Sequence, residues 1–219
     1  MTRFAPAIAP LGFYPVLPDA HWVQRALTWG VRTVQLRAKA ADHDAHSLEQ
    51  QVRAAVAAGQ AHPGAQVFIN DHWQLALACG AYGVHLGQED WAALSAQQQE
   101  QLRQSGLRLG LSSHTPQELQ RALEARPTYA AIGPVYPTTL KRMPYAPVGL
   151  QQLRDWTALA APCPIVAIGG ITLAQFAGVL DCGVAGVAVV SALTQASDPQ
   201  AAARQALDLC AAQRVRDPA

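Results

Sequence analysis

Eight short apolar runs separated by longer amphipathic segments are what most limits the fold open to this 219-residue chain. The runs are Gly12–Leu17, Thr33–Leu36, Gln66–Ile69, Gly83–Leu86, Arg108–Leu111, Tyr129–Ile132, Ile165–Ile168 and Gly186–Val190. Their near-continuous apolar character is that of parallel strands covered on both faces. Helix signals mark the segments between them. Asp19 is placed to cap a helix that runs through Trp29 and ends before Gly30, and a helix over Trp73–Cys79 stops at Gly80. Thr115-Pro116 opens Gln117–Glu124 with proline in the first turn. Thr172 caps Leu173–Leu180, and Asp198-Pro199 opens a last helix that runs to about Ala212.

This alternation predicts an α/β fold of the (β/α)8 TIM-barrel type, although a typical member has about 250 residues. An open doubly wound sheet is the alternative, disfavoured because no GxGxxG turn follows the first run. The length suits a single barrel domain over residues 1–219, with 1–11 as a short N-terminal extension. A net charge of +1 offers no general field for nucleic acid or acidic membranes, so an anion must be held by local groups. No apolar run approaches the roughly 18 residues of a membrane span. Four cysteines without a CxxC pair read as reduced thiols, which predicts a cytoplasmic protein with no membrane or nucleic-acid partner.

A barrel turns position into geometry, because polar residues directly after each strand share one cavity at the C-terminal mouth. Two runs end in acidic residues: the third passes into Asn70-Asp71 and the fourth into Gly87-Gln88-Glu89-Asp90. Asp71 and Asp90 would emerge side by side. Two hard carboxylates with no His/Cys cluster nearby suit Mg²⁺ shared with a phosphorylated substrate. Helix capping is the other reading of each aspartate.

The second run continues through Gln35-Leu36-Arg37-Ala38-Lys39, and alternation sends Gln35, Arg37 and Lys39 to one face. Arg37 and Lys39 suit phosphate oxygens, with an interior ion pair to Asp71 or Glu89 as the alternative. Ser112 offers a hydroxyl at the fifth strand end. His114 has no acid within its own segment to orient it as a base, and His85 reads as a satisfied interior residue. The long segment from Gly133 to Pro147 carries Thr138, Thr139 and Lys141, with prolines that restrict it, and reads as a lid. Gly169-Gly170 and Val190-Ser191 end the last two strands and form a second anion site.

In order, Gln35–Lys39, Asn70-Asp71, Gly83–Asp90, Thr138–Lys141, Ala167–Ile171 and Val190-Ser191 resemble the motifs of the thiamine-phosphate synthase family. The resemblance implies Mg²⁺-dependent joining of 4-amino-2-methyl-5-hydroxymethylpyrimidine diphosphate to hydroxyethylthiazole phosphate, giving thiamine phosphate and diphosphate. It implies that Gln35, Leu36, Arg37, Ala38, Lys39, Asn70, Ser112 and Lys141 bind the pyrimidine diphosphate, with Arg37, Lys39 and Lys141 as catalytic cations. Asp71 and Asp90 match the Mg²⁺ ligands, while Thr138, Thr139, Leu140, Gly170, Val190 and Ser191 match the thiazole-phosphate site. The family loop usually reads Thr-x-Thr-Lys, and here Leu140 replaces the second threonine. A thiazole tautomerase using His114 as proton carrier, and a non-catalytic phosphate-binding barrel, are the rival readings. The sequence leaves a homo-oligomer open.

Overall fold

The computed structural model describes residues 3–138 and 145–216. Eight strands close into one parallel barrel in sequence order: β1 (Gly12–Leu17), β2 (Thr33–Leu36), β3 (Gln66–Asn70), β4 (Gly83–Leu86), β5 (Arg108–Ser113), β6 (Tyr129–Ile132), β7 (Ile165–Ile168) and β8 (Gly186–Val189). Closure is made by β1 pairing with both β2 and β8, with Val16 opposite Gln35 and Tyr14 opposite Ala188. The expected (β/α)8 barrel is the fold observed.

Helices follow the strands: α1 (Ala20–Thr28), α2 (Ala45–Gln60), α3 (Trp73–Ala78), α4 (Gln88–Ala93), α5 (Ala96–Gln104), α6 (Pro116–Glu124), α7 (Gly149–Ala160), α8 (Phe176–Leu180), α9 (Ser191–Thr194) and α10 (Pro199–Arg216). Asp19 caps α1 by accepting from the Trp22 N–H at 2.8 Å, and Thr115 caps α6 by accepting from Glu118 N–H at 3.2 Å. Some limits differ from the sequence reading. β3 and β5 extend to Asn70 and Ser113 because their polar ends still pair with the next strand. β8 stops at Val189, one residue early. Leu173–Leu180 is broken into a 3₁₀ turn (Leu173–Gln175) and α8, and Gln175 Oε1 accepts from both the Thr172 N–H and hydroxyl at 2.9 Å. The last helix continues past Ala212 to Arg216.

Period-two alternation divides the core in two. Inside the barrel lie Leu11, Tyr14, Val16, Phe68, Tyr129, Ala131, Val166 and Ala188. Between strands and helices lies a larger layer that includes Leu17, Val34, Leu36, Ile69, Leu86, Leu111, Ile132 and Phe176. Phe68 packs edge-on to Tyr82 and Tyr129, with ring centroids 5.4 and 5.3 Å apart. Glycine makes room for this filling, since a Cβ on Gly110 would collide with the ring and hydroxyl of Tyr129.

The N-terminal segment runs across the lower end of the barrel. Its Phe4 N–H donates to Arg126 O (3.1 Å), its Ile8 N–H to the Tyr82 hydroxyl (2.9 Å), and its Ala5 carbonyl accepts from Thr128 Oγ1 (2.7 Å). That end is tied off by backbone contacts, so the polar cavity opens at the other. Truncating a fully buried ring at the barrel centre removes transfer energy and leaves a void. Phe68→Ala should lower the unfolding free energy by about 3–5 kcal/mol, measurable as a shifted urea midpoint.

Candidate functional site

The C-terminal ends of the strands surround a cavity of about 480 Å³. Of the residues the sequence marks out, Gln35, Arg37, Lys39, Asn70, Asp71, Asp90, Ser112, Thr138, Gly170, Val190 and Ser191 line it. Leu36 and Ala38 do not. Both side chains are buried in the layer beneath the helices, so only their backbones can face a ligand. The strand period explains this, since it turns alternate residues outward. Thr139, Leu140 and Lys141 lie outside the described residues, as does the middle of the expected lid, residues 139–144.

Asp71 and Asp90 reach the cavity by different routes. Asp71 has φ +61°, in the left-handed region that aspartate tolerates better than most residues. Its N–H donates to His85 O at 2.9 Å and its carbonyl accepts from Trp73 N–H at 2.8 Å. The Asp71 side chain caps no helix, because His72 occupies the N-cap of α3 and makes no side-chain cap bond. Strained conformations of this kind collect at functional sites. Asp90 does not precede its helix as expected; it sits in the first turn of α4, where its Oδ2 accepts from Gly87 N–H at 3.3 Å. Asp90 is therefore part cap, part cavity wall. Burial, and then the charge of Asp90, push the Asp71 carboxyl above its ordinary range, against the opposing pull of Arg37.

No group of three or more His, Cys, Asp or Glu side chains suited to a metal occurs among the described residues. Two converging carboxylates, one of them raised by burial and then by the charge of the other, fit a hard cation that takes its remaining ligands from water and substrate phosphate. Arg37 and Lys39 form no salt bridge with a carboxylate among the described residues, contrary to the interior ion-pair reading. Their charge is left facing the cavity.

On the opposite wall, Gly170 has φ +69°, and a Cβ there would collide with the carbonyls of Tyr136 and Pro137. The start of the long loop lies along β7 through Val135 N–H to Ile168 O and Tyr136 N–H to Gly169 O, each 3.0 Å. This seats Thr138 in the cavity wall. Thr194, which the sequence reading passed over, lines the same side.

His85 is a satisfied interior residue, as expected, but its partners are informative. Its Nδ1 lies 2.8 Å from the Tyr129 hydroxyl and its Nε2 2.8 Å from Ser112 Oγ. Burial, reinforced by Arg37, lowers its pKa to about 4, which leaves the ring neutral at physiological pH. His114 needs a correction. An acid does orient it: Glu118, one turn into α6, accepts from both the His114 N–H (2.7 Å) and Nδ1–H (2.9 Å) through Oε2. The partner lies across the turn from strand to helix, outside the segment that sequence inspection covers. Tyr145 completes the group by donating to Glu118 Oε1 at 3.1 Å and stacking on His114 with centroids 4.7 Å apart. The sequence reading also missed Tyr14, Tyr129 and Glu118, although two of them are inward strand positions with polar-tipped rings.

A family model described as thiamine monophosphate synthase matches residues 14–193, which include β2–β8, β1 from Tyr14 onward and the whole cavity lining except Thr194. The chain belongs to that family. It is 50% identical to the thiamine-phosphate synthase of Klebsiella pneumoniae subsp. pneumoniae, over 95% of this chain and 96% of that one. Identity to the Serratia proteamaculans thiamine-phosphate synthase is 48%, covering 95% of each. Among solved structures, the Pyrococcus furiosus thiamine phosphate pyrophosphorylase superposes with a TM-score of 0.81 at 27% identity, over 93% of this chain and 97% of that one. The family is one of transferases in thiamine biosynthesis.

Burial pushes the Glu118 carboxyl up, but the bonds from the His114 ring and N–H and from Tyr145 outweigh it and hold the pKa below the usual value. A depressed folded pKa contributes stability that is present above the unfolded value and lost as pH falls through the folded one. The Tm advantage of the wild type over Glu118→Gln should therefore be full at neutral pH and shrink below about pH 4. Thermal melts across that range measure it; a pH-independent difference would assign Glu118 a packing role alone.

Proposed function

We propose that this mouth carries out the thiamine-phosphate synthase reaction, with the pyrimidine diphosphate against β2–β5 and the thiazole phosphate against β7–β8. The observation that carries the reading is the division of one cavity: cations and paired carboxylates on one side, small residues of two adjacent loops on the other. Arg37 and Lys39, with Lys141 of the long loop, bind the diphosphate, and Gln35, Asn70 and Ser112 hold the pyrimidine portion. Gly170, Val190 and Ser191, with Thr138, Thr139 and Leu140, hold the thiazole phosphate. Phosphate sites of this kind recur between the last two loops of such barrels.

The carbon–oxygen bond to the diphosphate breaks, and its electron pair leaves with the diphosphate oxygen. The pyrimidine-methyl cation so formed is captured by the lone pair of the thiazole nitrogen. No proton need move, so no general base is required. What the protein must supply is stabilisation of the leaving charge, which preorganised cations in a desolvated mouth do well. Asp71 and Asp90 would hold Mg²⁺, which when bound supplies further electrostatic stabilisation of the diphosphate. Holding the two partners in line replaces a bimolecular encounter. The cytoplasm suits the four cysteines, each of which is a free thiol.

The Glu118–His114 pair resembles the proton carrier a thiazole isomerase would need, but such an enzyme has no use for two cations and two carboxylates around a diphosphate. Purified protein given both phosphorylated precursors should form thiamine phosphate and diphosphate only with Mg²⁺. Consumption of a thiazole isomer without coupling would favour the isomerase. Asp71→Asn should leave the fold intact and cut kcat by about a hundredfold or more. A wild-type rate for that variant with saturating substrates would remove Asp71 from the metal site. Arg37→Leu should weaken competitive inhibition by inorganic diphosphate by about tenfold or more, read from inhibition constants, because a charge-assisted bidentate contact is lost.

A further inference from the structure

Gln35 and Ser112 sit on the cavity wall on strands that are not neighbours, yet a buried chain of hydrogen bonds joins them. Gln35 Nε2 lies 3.4 Å from the Tyr14 hydroxyl, which lies 2.8 Å from that of Tyr129. The Tyr129 hydroxyl lies 2.8 Å from His85 Nδ1, and His85 Nε2 lies 2.8 Å from Ser112 Oγ. All three intermediate side chains are buried, with exposures of 1% for Tyr14, 0% for Tyr129 and 7% for His85, so bulk water cannot replace a missing partner.

Proton counting constrains such a chain. Each hydroxyl has one proton to give, and a neutral imidazole has one N–H and one acceptor nitrogen. A break in direction would leave a buried hydroxyl accepting twice with its own proton unpaired, at a cost comparable to a lost hydrogen bond. The protons must therefore all point one way. If Gln35 donates, Tyr14 donates to Tyr129, Tyr129 to His85 Nδ1, and His85 Nε2–H to Ser112 Oγ. Ser112 then keeps its own proton for the cavity, and Gln35 keeps its carbonyl. The opposite direction exchanges these roles.

We propose that Tyr14, Tyr129 and His85 are positioning residues that lock Gln35 as an acceptor and Ser112 as a donor, and so select a 4-aminopyrimidine diphosphate over its 4-oxo analogue. This rests on the reading that Gln35 and Ser112 hold the pyrimidine portion of the substrate. An aminopyrimidine edge presents an amino donor beside a ring-nitrogen acceptor, the complement of that pair. The 4-oxo ring presents an acceptor beside an N–H donor: its carbonyl meets the Gln35 carbonyl, and Ser112 can accept the N–H only by turning its own proton away from the ring. Reversing the chain to suit it requires all the buried partners to turn together. A site built to pair buried polar groups rejects the mismatched ligand far more strongly than an apolar pocket does.

Two measurements test this. Nitrogen-15 NMR of the wild-type protein, with the His85 signals identified by their absence in His85→Gln, should show His85 as the Nε2–H tautomer. An Nδ1–H tautomer would overturn the proposal, and this result does not depend on product formation. The ratio of kcat/KM for the 4-amino and 4-oxo pyrimidine diphosphates should fall by about tenfold or more in Tyr129→Phe and Tyr14→Phe. The KM for thiazole phosphate should stay unchanged, as a general loss of structure would not allow. An unchanged ratio in either folded variant would overturn the proposal. If Tyr129→Phe does not fold, Tyr14→Phe and the wild-type tautomer decide. A wild type that couples no precursors would instead count against the reading of the site itself, leaving the tautomer to report on the chain.

Discussion

Closing eight parallel strands into a ring forces each strand residue to point either into the barrel or toward the surrounding helices, and the mouth depends on that division. Gln35 faces inward and Leu36 outward by the same rule that sends Tyr14 in and Phe13 out. The outer residues attach the helices through apolar burial, which is non-directional and tolerant. The inner ones are not so free. Toward the lower end they must fill a narrow interior, which Phe68, Tyr14 and Tyr129 do with glycine opposite them at position 110. At the upper end they meet a cavity, and there polar groups can face a ligand.

The interior is thus graded from apolar to polar along the barrel axis. The tyrosines stand at the boundary, contributing rings to the packing and hydroxyls to the chain that reaches Gln35 and His85. Burial pushes both phenols above their ordinary pKa and His85 below its own, so all three remain neutral. Neutrality matters because an uncompensated buried charge would cost more than the hydrogen bonds return. Charge is instead confined to the rim, where Arg37 and Lys39 face the cavity near Asp71 and Asp90. A departing diphosphate would meet fixed charge there and neutral dipoles below.

The rim is held by local devices as well as by the strands. Asp71 is kept in a left-handed conformation by bonds to His85 and Trp73. Asp90 is held in the first turn of α4 by Gly87. Glu118 draws His114 and Tyr145 together beside the far end of the long loop. Each device stays within one strand–helix unit or joins two successive units, so the mouth is fixed by contacts between chain neighbours laid over a long-range frame.

The eight strands, the main helix starts and the polar residues after each strand could all be read from the chain, because period, caps and turn residues act over a few positions. Asp71 and Asp90 were legible as a pair for the same reason: adjacent strand–helix units place successive loops side by side. Local pattern could not separate Leu36 and Ala38, which motif resemblance gathers with Arg37, from the residues whose side chains enter the cavity. Nor could it find Glu118 as the partner of His114, or distinguish Tyr14 and Tyr129 from other buried aromatics. Those assignments depend on which strands close the ring and on their register, since Tyr14, Tyr129 and His85 come from three strands that meet only across the barrel interior. Sequence alone determined the frame and the chemistry at its mouth, because both follow from local periodicity. The hydrogen-bonded chain beneath that mouth was decided by closure, which brings distant hydroxyls within bonding distance.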